Sequence, residues 1–286
     1  MCGIVGYVGE QQAIDVVMEG LRRMEYRGYD SAGVAIIGSD GVTVERKAGK
    51  LSNLEKELVG VELAGTTGMG HTRWATHGGP TDRNAHPHSD CTTAISVVHN
   101  GIIENFAALR DELESAGHEM RSETDTEVVA HLLEDVYVGD LAEAMRVVCS
   151  RLEGAFTLVA VHRQSPDVVV GARRNSPLVV GLGDGENFLG SDVTAFIAHT
   201  RDAVELGQDQ VVELRRDSWN VTGFDGSAAD VNEFHVDWDA GAAEKGGYDY
   251  FMLKEIAEQP QAIADTLRGR LGPSGEIGRA SCRERV

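Results

Sequence analysis

The apolar positions of the first fifty residues follow two different periods. Residues 3–9 form an apolar run punctuated by glycine, which predicts a buried strand. In residues 11–24 apolar side chains recur at helical spacing, which predicts an amphipathic helix. The runs Val34–Ile37 and Val42–Glu45 flank a polar glycine turn and predict a hairpin. The N-terminus is therefore expected to be held in a core rather than frayed.

The middle of the chain predicts helices, and the second half predicts short strands. Residues 68–73 lead into a loop expected over 74–89, and the strand at Ala94–His99 is expected to stop at an Asn-Gly turn. Predicted helices cover Asn105–Gly117, Thr126–Tyr137 and Leu141–Leu152, with Thr124 and Glu127 in a capping-box pattern. Predicted strands cover Phe156–Val161, Val168–Ala172, Leu178–Leu182, Phe188–Gly190 and Val211–Arg215. Grouped strands with clustered helices favour two sheets with helices outside them.

The C-terminal part changes character. Residues 2–236 are expected to form one domain, and residues 237–249, rich in glycine, alanine and charge, to form a linker. A new helix is expected from Tyr250, interrupted by Pro260, within a second domain that begins in residues 250–274. Residues 275–286 are basic and lack an apolar period, and we expect them to be a foreign tail that resembles translated adapter DNA.

Composition narrows the class of protein. The 286 residues are 42% hydrophobic and 25% charged, which suits one or two soluble domains. A net charge of -20 disfavours nucleic acid and anionic lipid as partners. No apolar run approaches the roughly 20 residues that span a bilayer, and no secretory signal is recognisable. The cysteines Cys2, Cys91, Cys149 and Cys282 show no paired spacing, so we expect a cytoplasmic protein.

Cys2 is the first candidate for chemistry. If Met1 is removed, Cys2 carries a free α-amine with a pKa of roughly 7.7–8.0 beside its thiol. Nucleophile and base then belong to one residue, as in enzymes with N-terminal nucleophiles. On position alone a chance cysteine would be the simpler explanation, but the adjacent predicted strand argues against it.

The segment from His71 to Gly78 concentrates polar side chains. The guanidinium of Arg73 can pair with a carboxylate through two parallel hydrogen bonds. An irregular polar loop with a buried histidine is the alternative. His86, His88 and His99 raise the question of zinc, but they lack the spacing of a zinc site and no metal is expected.

Two further motifs suggest the ligand. The amide of Asn100 and the backbone N–H of Gly101 could form an oxyanion hole, although an Asn-Gly pair is usually only a turn. Asp125 could hold an ammonium group, although acidic residues commonly begin helices. Together with Arg73 and Cys2, these residues predict a binding site for an α-amino acid that has a reactive acyl side chain. Glutamine is such an amino acid.

Several long segments carry a family resemblance that covers roughly residues 2–270. The segments are Met1–Ile4, Glu25–Gly33, His71–Gly78, His99–Asn105, Ser122–Glu127 and Lys254–Pro260. In these segments the chain resembles the class II amidotransferases, and among them the glutaminase domain of glucosamine-6-phosphate synthases. The resemblance implies an α+β protein with the N-terminal nucleophile hydrolase fold, a four-layer αββα sandwich.

The resemblance also implies a role for each candidate residue. Cys2 is then the nucleophile and its α-amine the base, and Asn100 and Gly101 form the oxyanion hole. Arg73 clamps the carboxylate of glutamine, and Asp125 clamps its ammonium group. Thr76 and His77 make further substrate contacts, and Trp74 gates the path of the ammonia. No metal or organic cofactor is implied.

The intact enzymes of that family pass ammonia to fructose 6-phosphate in a sugar isomerase domain and form glucosamine 6-phosphate. Only the beginning of that domain is expected here, so the chain is expected to show glutaminase activity and no transfer to the sugar. The intact enzyme is expected to be a homodimer. Three alternatives remain: another class II amidotransferase such as amidophosphoribosyltransferase, a non-catalytic glutamine-binding module, and a histidine metal protein. The Tyr26–Gly33 and Lys254–Pro260 segments argue against the first.

Overall fold

The structure, a computed structural model, describes residues 2–28, 30–237, 248 and 251–267. The chain divides into two compact units, Met1–Ala240 and Gly241–Val286. Most of the predicted linker (237–249) and the whole of the predicted tail (275–286) lie outside the described residues. No helix in the described ranges combines the length and apolar character needed to cross a membrane.

The first unit contains two antiparallel sheets and five described α-helices. The strands are β1 Gly3–Val8, β2 Ser31–Gly38, β3 Gly41–Ala48, β4 Thr67–Arg73, β5 His88–Ser89, β6 Ile95–Ile103, β7 Gly154–His162, β8 Val169–Arg174, β9 Val179–Leu182, β10 Asn187–Gly190, β11 Asp202–Glu205, β12 Gln210–Arg215, β13 Ser218–Gly223 and β14 Asn232–His235. The helices are α1 Ala13–Met24, α2 Leu51–Glu57, α3 Phe106–Ala116, α4 Glu127–Val136 and α5 Leu141–Arg151. The second unit contains α6, Phe251–Leu267.

Strand β1 shows why the sheets pack as they do. Alternate side chains of a strand point to opposite faces. Ile4 and Val8 therefore belong to the core between the sheets, whereas Val5 and Tyr7 belong to the core beneath α1. Burying each such aliphatic side chain contributes roughly 1.5–3 kcal/mol, so both faces of β1 hold the N-terminus in place.

Four layers result from this packing. The eight-stranded sheet has the order β14-β11-β9-β10-β1-β4-β2-β3, and the six-stranded sheet has the order β13-β12-β8-β7-β6-β5. Helices α1 and α2 cover the outer face of the larger sheet, and α3, α4 and α5 cover that of the smaller one. The α+β, four-layer αββα architecture is confirmed.

Strand β4 was not predicted because glycine is depleted in strands. Here Gly70 lets α1 approach the sheet: a Cβ at this position would lie 2.5 Å from Cγ1 of Val17 and 2.8 Å from Cδ1 of Leu21. Tertiary packing therefore stabilises a strand that local propensity does not favour.

Three other expectations were wrong. The strand predicted to stop at the Asn-Gly pair continues as β6 to Ile103. Thr124 does not cap α4; the carboxylate of Glu127 instead accepts hydrogen bonds from the backbone N–H groups of Arg121 (2.8 Å) and Ser122 (2.6 Å), which satisfies the preceding loop. Pro260 does not interrupt α6, which continues to Leu267.

Candidate active site

A cavity of about 300 Å³ opens at Cys2, directly before the central strand β1. This volume suits a small ligand. The sequence-predicted residues in its wall are Cys2, Arg73, Trp74, Thr76, Asn100, Gly101 and Asp125. The topology brings them together because β1 pairs with β4, which ends at Arg73, while β6 of the opposing sheet carries the Asn-Gly pair.

The thiol of Cys2 is fixed by the backbone of Trp74. The Trp74 N–H donates to Sγ at 3.1 Å, and the thiol donates to the Trp74 carbonyl at 3.6 Å. Burial raises the pKa of the Cys2 thiol, and the backbone hydrogen bond with Trp74 opposes this shift. The thiol is therefore neutral at neutral pH and needs a nearby base to become a nucleophile.

Asn100 lies beside Cys2. Its Nδ2 donates to the Cys2 carbonyl at 3.1 Å, and its Oδ1 lies 2.9 Å from Nε2 of His71. Since an amide nitrogen carries two protons, one N–H remains for a ligand in the cavity.

Gly101 has a backbone conformation that other residues rarely adopt. Its φ is +125°, and a Cβ would lie 2.0 Å from the carbonyl oxygen of Ala155 on the neighbouring strand. Glycine is therefore required for β6 to continue past Asn100 while both residues border the cavity.

Arg73 ends β4 and is only 3% exposed. Its guanidinium donates to the carbonyls of His77, Gly78 (3.3 Å) and Gly79 (3.4 Å). Burial lowers the pKa of Arg73, but an arginine remains charged at neutral pH. The side chain thus supplies a buried positive charge to the cavity wall and also holds the loop that follows β4.

Asp125 precedes α4 and is buried against β6. The Ile103 N–H donates to its Oδ2 at 2.9 Å. Nδ1 of His99 lies 3.9 Å from the same oxygen, and burial lowers the pKa of His99 although Asp125 opposes this shift. With His99 neutral, the wall of the cavity contains the carboxylate of Asp125 as well as the guanidinium of Arg73.

The remaining predicted residues differ in their placement. Trp74 (47% exposed) and Thr76 line the cavity opening. His77 does not line it: its ring packs edge-on against Phe106, with 5.2 Å between ring centroids. Only its backbone carbonyl contributes here, as an acceptor for Arg73.

Sequence reasoning missed several residues at the cavity. Arg27 lines it and forms an ion pair with Asp192 (2.6 Å), while Ser191 lines it and accepts a hydrogen bond from the Ile4 N–H (3.0 Å). Asp30 supports the site from behind, since its Oδ2 accepts from the Ala75 N–H at 2.8 Å. The polar Glu25–Gly33 segment was the available signal for Arg27 and Asp30.

The buried histidines form a layer next to the cavity. The ring of His86 contacts those of His71 (4.4 Å between centroids) and His88 (4.9 Å). His88 and His99 hydrogen-bond to the hydroxyls of Thr124 and Thr126, each at 3.0 Å. His88 and His99 thus reach separate hydroxyls, whereas Nε2 of His71 lies 3.3 Å from Nδ1 of His86. These different neighbours favour a structural role.

This arrangement defines a class of protein. Two antiparallel sheets between helical layers, with a cysteine directly before the central strand and a cavity at its thiol, constitute the N-terminal nucleophile fold of the class II amidotransferases. Residues 42–237 match the family described as "Glutamine amidotransferase domain". The chain belongs to this family.

The curated relatives are more specific. The chain is 72% identical over 280 residues to the glutamine–fructose-6-phosphate aminotransferase (isomerizing) of Streptomyces coelicolor, covering 97% of this chain and 46% of that protein. It is 61% identical over 286 residues to the enzyme of the same name from Mycolicibacterium smegmatis, covering 94% and 46%. The chain thus spans about half the length of the curated relatives it matches.

A solved structure confirms the fold independently. The glutamine phosphoribosylpyrophosphate (PRPP) amidotransferase from B. subtilis, complexed with ADP and GMP, superposes with a TM-score of 0.68 at 22% identity. The match covers 78% of this chain and 49% of that one. At this identity the likeness concerns the fold alone.

Proposed function

We propose that this chain hydrolyses the side-chain amide of glutamine to glutamate and ammonia, with Cys2 as the nucleophile. The observation that carries the proposal is the shared cavity wall, in which the Cys2 thiol lies with one buried cation, Arg73, and one buried anion, Asp125. An α-amino acid has the matching carboxylate and ammonium at one end.

In the proposed complex, Arg73 binds the glutamine carboxylate and Asp125 binds its ammonium group. Both side chains are buried, so these charge-assisted hydrogen bonds are shielded from water. Within the described residues only Oδ2 of Asp125 accepts a hydrogen bond, which leaves Oδ1 for the ligand. Thr76 is proposed to make a further contact, and Trp74 to gate the path of the ammonia. The substrate contact expected of His77 is not proposed for its ring, which packs against Phe106; its carbonyl acts through Arg73.

The thiol is activated by the α-amine of Cys2 after removal of Met1. Because burial raises the pKa of the thiol, a base within the same residue is effective where water is not. The amine takes the thiol proton, and Sγ attacks the side-chain carbonyl carbon of glutamine.

The resulting oxyanion is proposed to accept hydrogen bonds from Nδ2 of Asn100 and the N–H of Gly101. The α-ammonium then protonates the departing nitrogen, the C–N bond breaks, and ammonia leaves. Water hydrolyses the γ-glutamyl thioester, releasing glutamate and restoring the thiol. Every step uses groups of this chain and needs no metal or cofactor.

The longer relatives suggest the fate of the ammonia. We propose that residues 2–236 are the glutaminase domain and that a sugar isomerase domain begins in residues 250–274. The intact, homodimeric, cytoplasmic enzyme would transfer the ammonia to fructose 6-phosphate and form glucosamine 6-phosphate. The identity to two aminotransferases of that name supports this assignment.

The decisive experiment measures glutamate release from glutamine by untagged protein, with the N-terminal mass determined in parallel. Turnover is expected for protein that begins at Cys2 and is expected to vanish in Cys2→Ala. Cys149→Ala is the matched control, because Cys149 is buried in α5 and does not border the cavity. Glutamine binding without consumption by processed wild-type protein would instead support the non-catalytic binding module.

A further inference from the structure

A second group of reactive side chains lies outside the cavity, in the layer of α3, α4 and α5. Its members, here called the Cys91 cluster, come from three parts of the chain: Cys91 follows β5, His118 follows α3, and His131 and Glu134 lie one turn apart on α4. None of them borders the cavity. The glutaminase mechanism uses none of them.

The potential ligand atoms of the Cys91 cluster all lie within 4.8 Å of one another. Nδ1 of His118 and Nδ1 of His131 are 3.2 Å apart, and Sγ of Cys91 is 3.5 Å from each. Oε2 of Glu134 lies 3.3 Å from the first nitrogen and 3.4 Å from the second. These five distances between the four atoms lie between 3.2 and 3.5 Å, which is the compact spacing of ligands around one ion.

Tetrahedral zinc geometry requires such separations. With Zn–N of about 2.05 Å, Zn–S of about 2.3 Å and Zn–O of about 2.1 Å, ligands at tetrahedral angles lie about 3.3 Å apart for N–N, about 3.6 Å for N–S and about 3.4 Å for N–O. The cluster matches each of these values closely.

Hydrogen bonding explains the cluster less well. Each Nδ1 has three close neighbours, namely the sulfur, the other Nδ1 and the Glu134 carboxylate. A ring nitrogen carries at most one proton, directed along one line, and the thiol carries one more. These three protons can serve at most three of the five close contacts, whereas one central cation can bind all four ligand atoms.

The outer nitrogens of both imidazoles face carboxylates. Nε2 of His118 lies 3.0 Å from Oδ1 of Asp135, and Nε2 of His131 lies 3.8 Å from Oε1 of Glu127. Asp135 is within hydrogen-bond distance, so it keeps the proton on Nε2 of His118 and leaves the Nδ1 lone pair for a metal. Glu127 is too far from His131 for a hydrogen bond, but it places a negative charge beside the outer nitrogen of that ring. The Cys91 N–H donates to Oε2 of Glu134 at 3.1 Å, which orients that carboxylate.

We propose that the Cys91 cluster is a structural Zn²⁺ site. One thiolate, two imidazoles and one carboxylate suit zinc, and four protein ligands leave no open position for catalysis. On binding, the Cys91 thiol releases its proton to solvent. The ion would join the β5–β6 turn to α4 and so secure the segment 118–127, which carries Asp125 into the cavity.

The test measures zinc in the Cys2→Ala variant of this chain, in which the N-terminal thiol cannot chelate the ion. After loading with ZnSO₄ and dialysis, about one zinc ion per chain is expected by plasma mass spectrometry. The ligand variants Cys91→Ser and His118→Ala should lower this content by roughly tenfold or more. Cys149→Ala and His235→Ala should retain it, because these residues lie elsewhere in the fold.

Cobalt substitution tests the ligands without relying on the stability of a variant. Co²⁺ in the Cys2→Ala protein should show the intense bands of tetrahedral coordination and a thiolate-to-cobalt charge-transfer band. Asp135→Asn, which removes no ligand, should weaken zinc binding roughly 10–100-fold. The proposal is overturned if the loaded protein retains less than about a tenth of an equivalent of zinc. It is also overturned if cobalt shows no thiolate band, or if Cys91→Ser and His118→Ala bind zinc as well as their controls do.

Discussion

Nε2 of His71 determines which way the side-chain amide of Asn100 points. This nitrogen lies 3.0 Å from the His99 carbonyl, which can only accept, so Nε2 carries the proton. It lies 2.9 Å from the Asn100 side chain, which must therefore present its oxygen to His71 and its NH₂ group to Cys2. Burial lowers the pKa of His71 to about 3, so the ring is neutral and keeps this donor role across the working pH range.

Replacement of His71 by phenylalanine should lower kcat with little change in KM. An aromatic ring is kept, but the Asn100 amide loses the donor that orients it toward the proposed oxyanion. Loss of one oxyanion donor costs about 10²–10³ in rate, so we expect a reduction of about 10–100-fold for a donor that is only misoriented. Steady-state glutaminase kinetics give both parameters.

His71→Gln retains an N–H donor and should recover most of the lost kcat. His162→Phe is the control, since His162 is also buried but stacks on Tyr137 and does not border the cavity. Equal kcat values for His71→Phe and the wild type would refute the positioning role.

Arg73→Ala should raise the KM for glutamine far more than Arg163→Ala. A hydrogen bond to a charged group contributes about 1.5–3 kcal/mol, which corresponds to a change of ~10–100-fold. Arg163 is exposed, and its side chain does not border the cavity. Initial rates over a wide glutamine range compare the two variants, and similar small effects would remove Arg73 from the binding site.

Protein that keeps any residue before Cys2 should be inactive as a glutaminase. The extra peptide bond converts the α-amine, with its pKa of roughly 7.7–8.0, into an amide that cannot accept the thiol proton. A version with an uncleaved N-terminal extension and one processed to Cys2 can be compared by mass spectrometry and glutamate release. Full activity of the extended protein would contradict the amine as base.

The free energy of unfolding should fall as the pH falls from 6.5 toward 4.5. Burial lowers the pKa of both His71 and His88 to about 3, from 6.5 for exposed histidine. In this window the unfolded chain takes up protons that the folded chain does not, so acid favours unfolding. The expected loss is about 2 kcal/mol per histidine at about pH 5.

Urea unfolding at several pH values measures this effect. Glu127, whose pKa is lowered from 4.5 to about 2, adds to the loss mainly near pH 4.5, so the slope between pH 6.5 and about 5.5 belongs mainly to histidine. His88→Gln, which does not titrate, should show a shallower pH dependence than the exposed control His235→Gln. Identical slopes for the two variants would show that His88 does not contribute.

Much of the fold was predictable because its core elements obey simple periods. The apolar run of β1 and the helical spacing of α1 each have one stable burial pattern, and the structure confirms both. Strand β4 could not be predicted, because Gly68 and Gly70 lower local strand propensity. Only tertiary packing explains them, against β2 at Gly68 and against α1 at Gly70.

The candidate site was predictable by residue type but not by geometry. Cys2, Arg73 and Asp125 were identified from their chemistry, and the topology brings them to one cavity. The prediction of a turn at Gly101 was wrong, because pairing with the neighbouring strand keeps this residue in β6 despite its positive φ. His77 lies among the same predicted residues in sequence, yet its ring faces Phe106.

The Cys91 cluster shows the limit of reading spacing alone. Its residues are distant in sequence, and only His131 and Glu134 share a helix face. The spacing of His86, His88 and His99 predicts no metal site, whereas the tertiary fold brings together the potential ligand atoms of four other residues. Such sites follow from topology, which the sequence pattern did not specify.

The contacts of Arg73 couple ligand binding in the cavity to the loop at its rim. The guanidinium that borders the cavity also donates through both Nη atoms to the carbonyls of residues 77–79, so the proposed ligand carboxylate and the loop bind to one planar group. Linkage then requires reciprocity: if the proposed ligand changes the stability of these loop contacts, the state of the loop changes the affinity for that ligand by the same free energy. The hydrogen bonds of this rim are thereby expected to contribute to the affinity for glutamine.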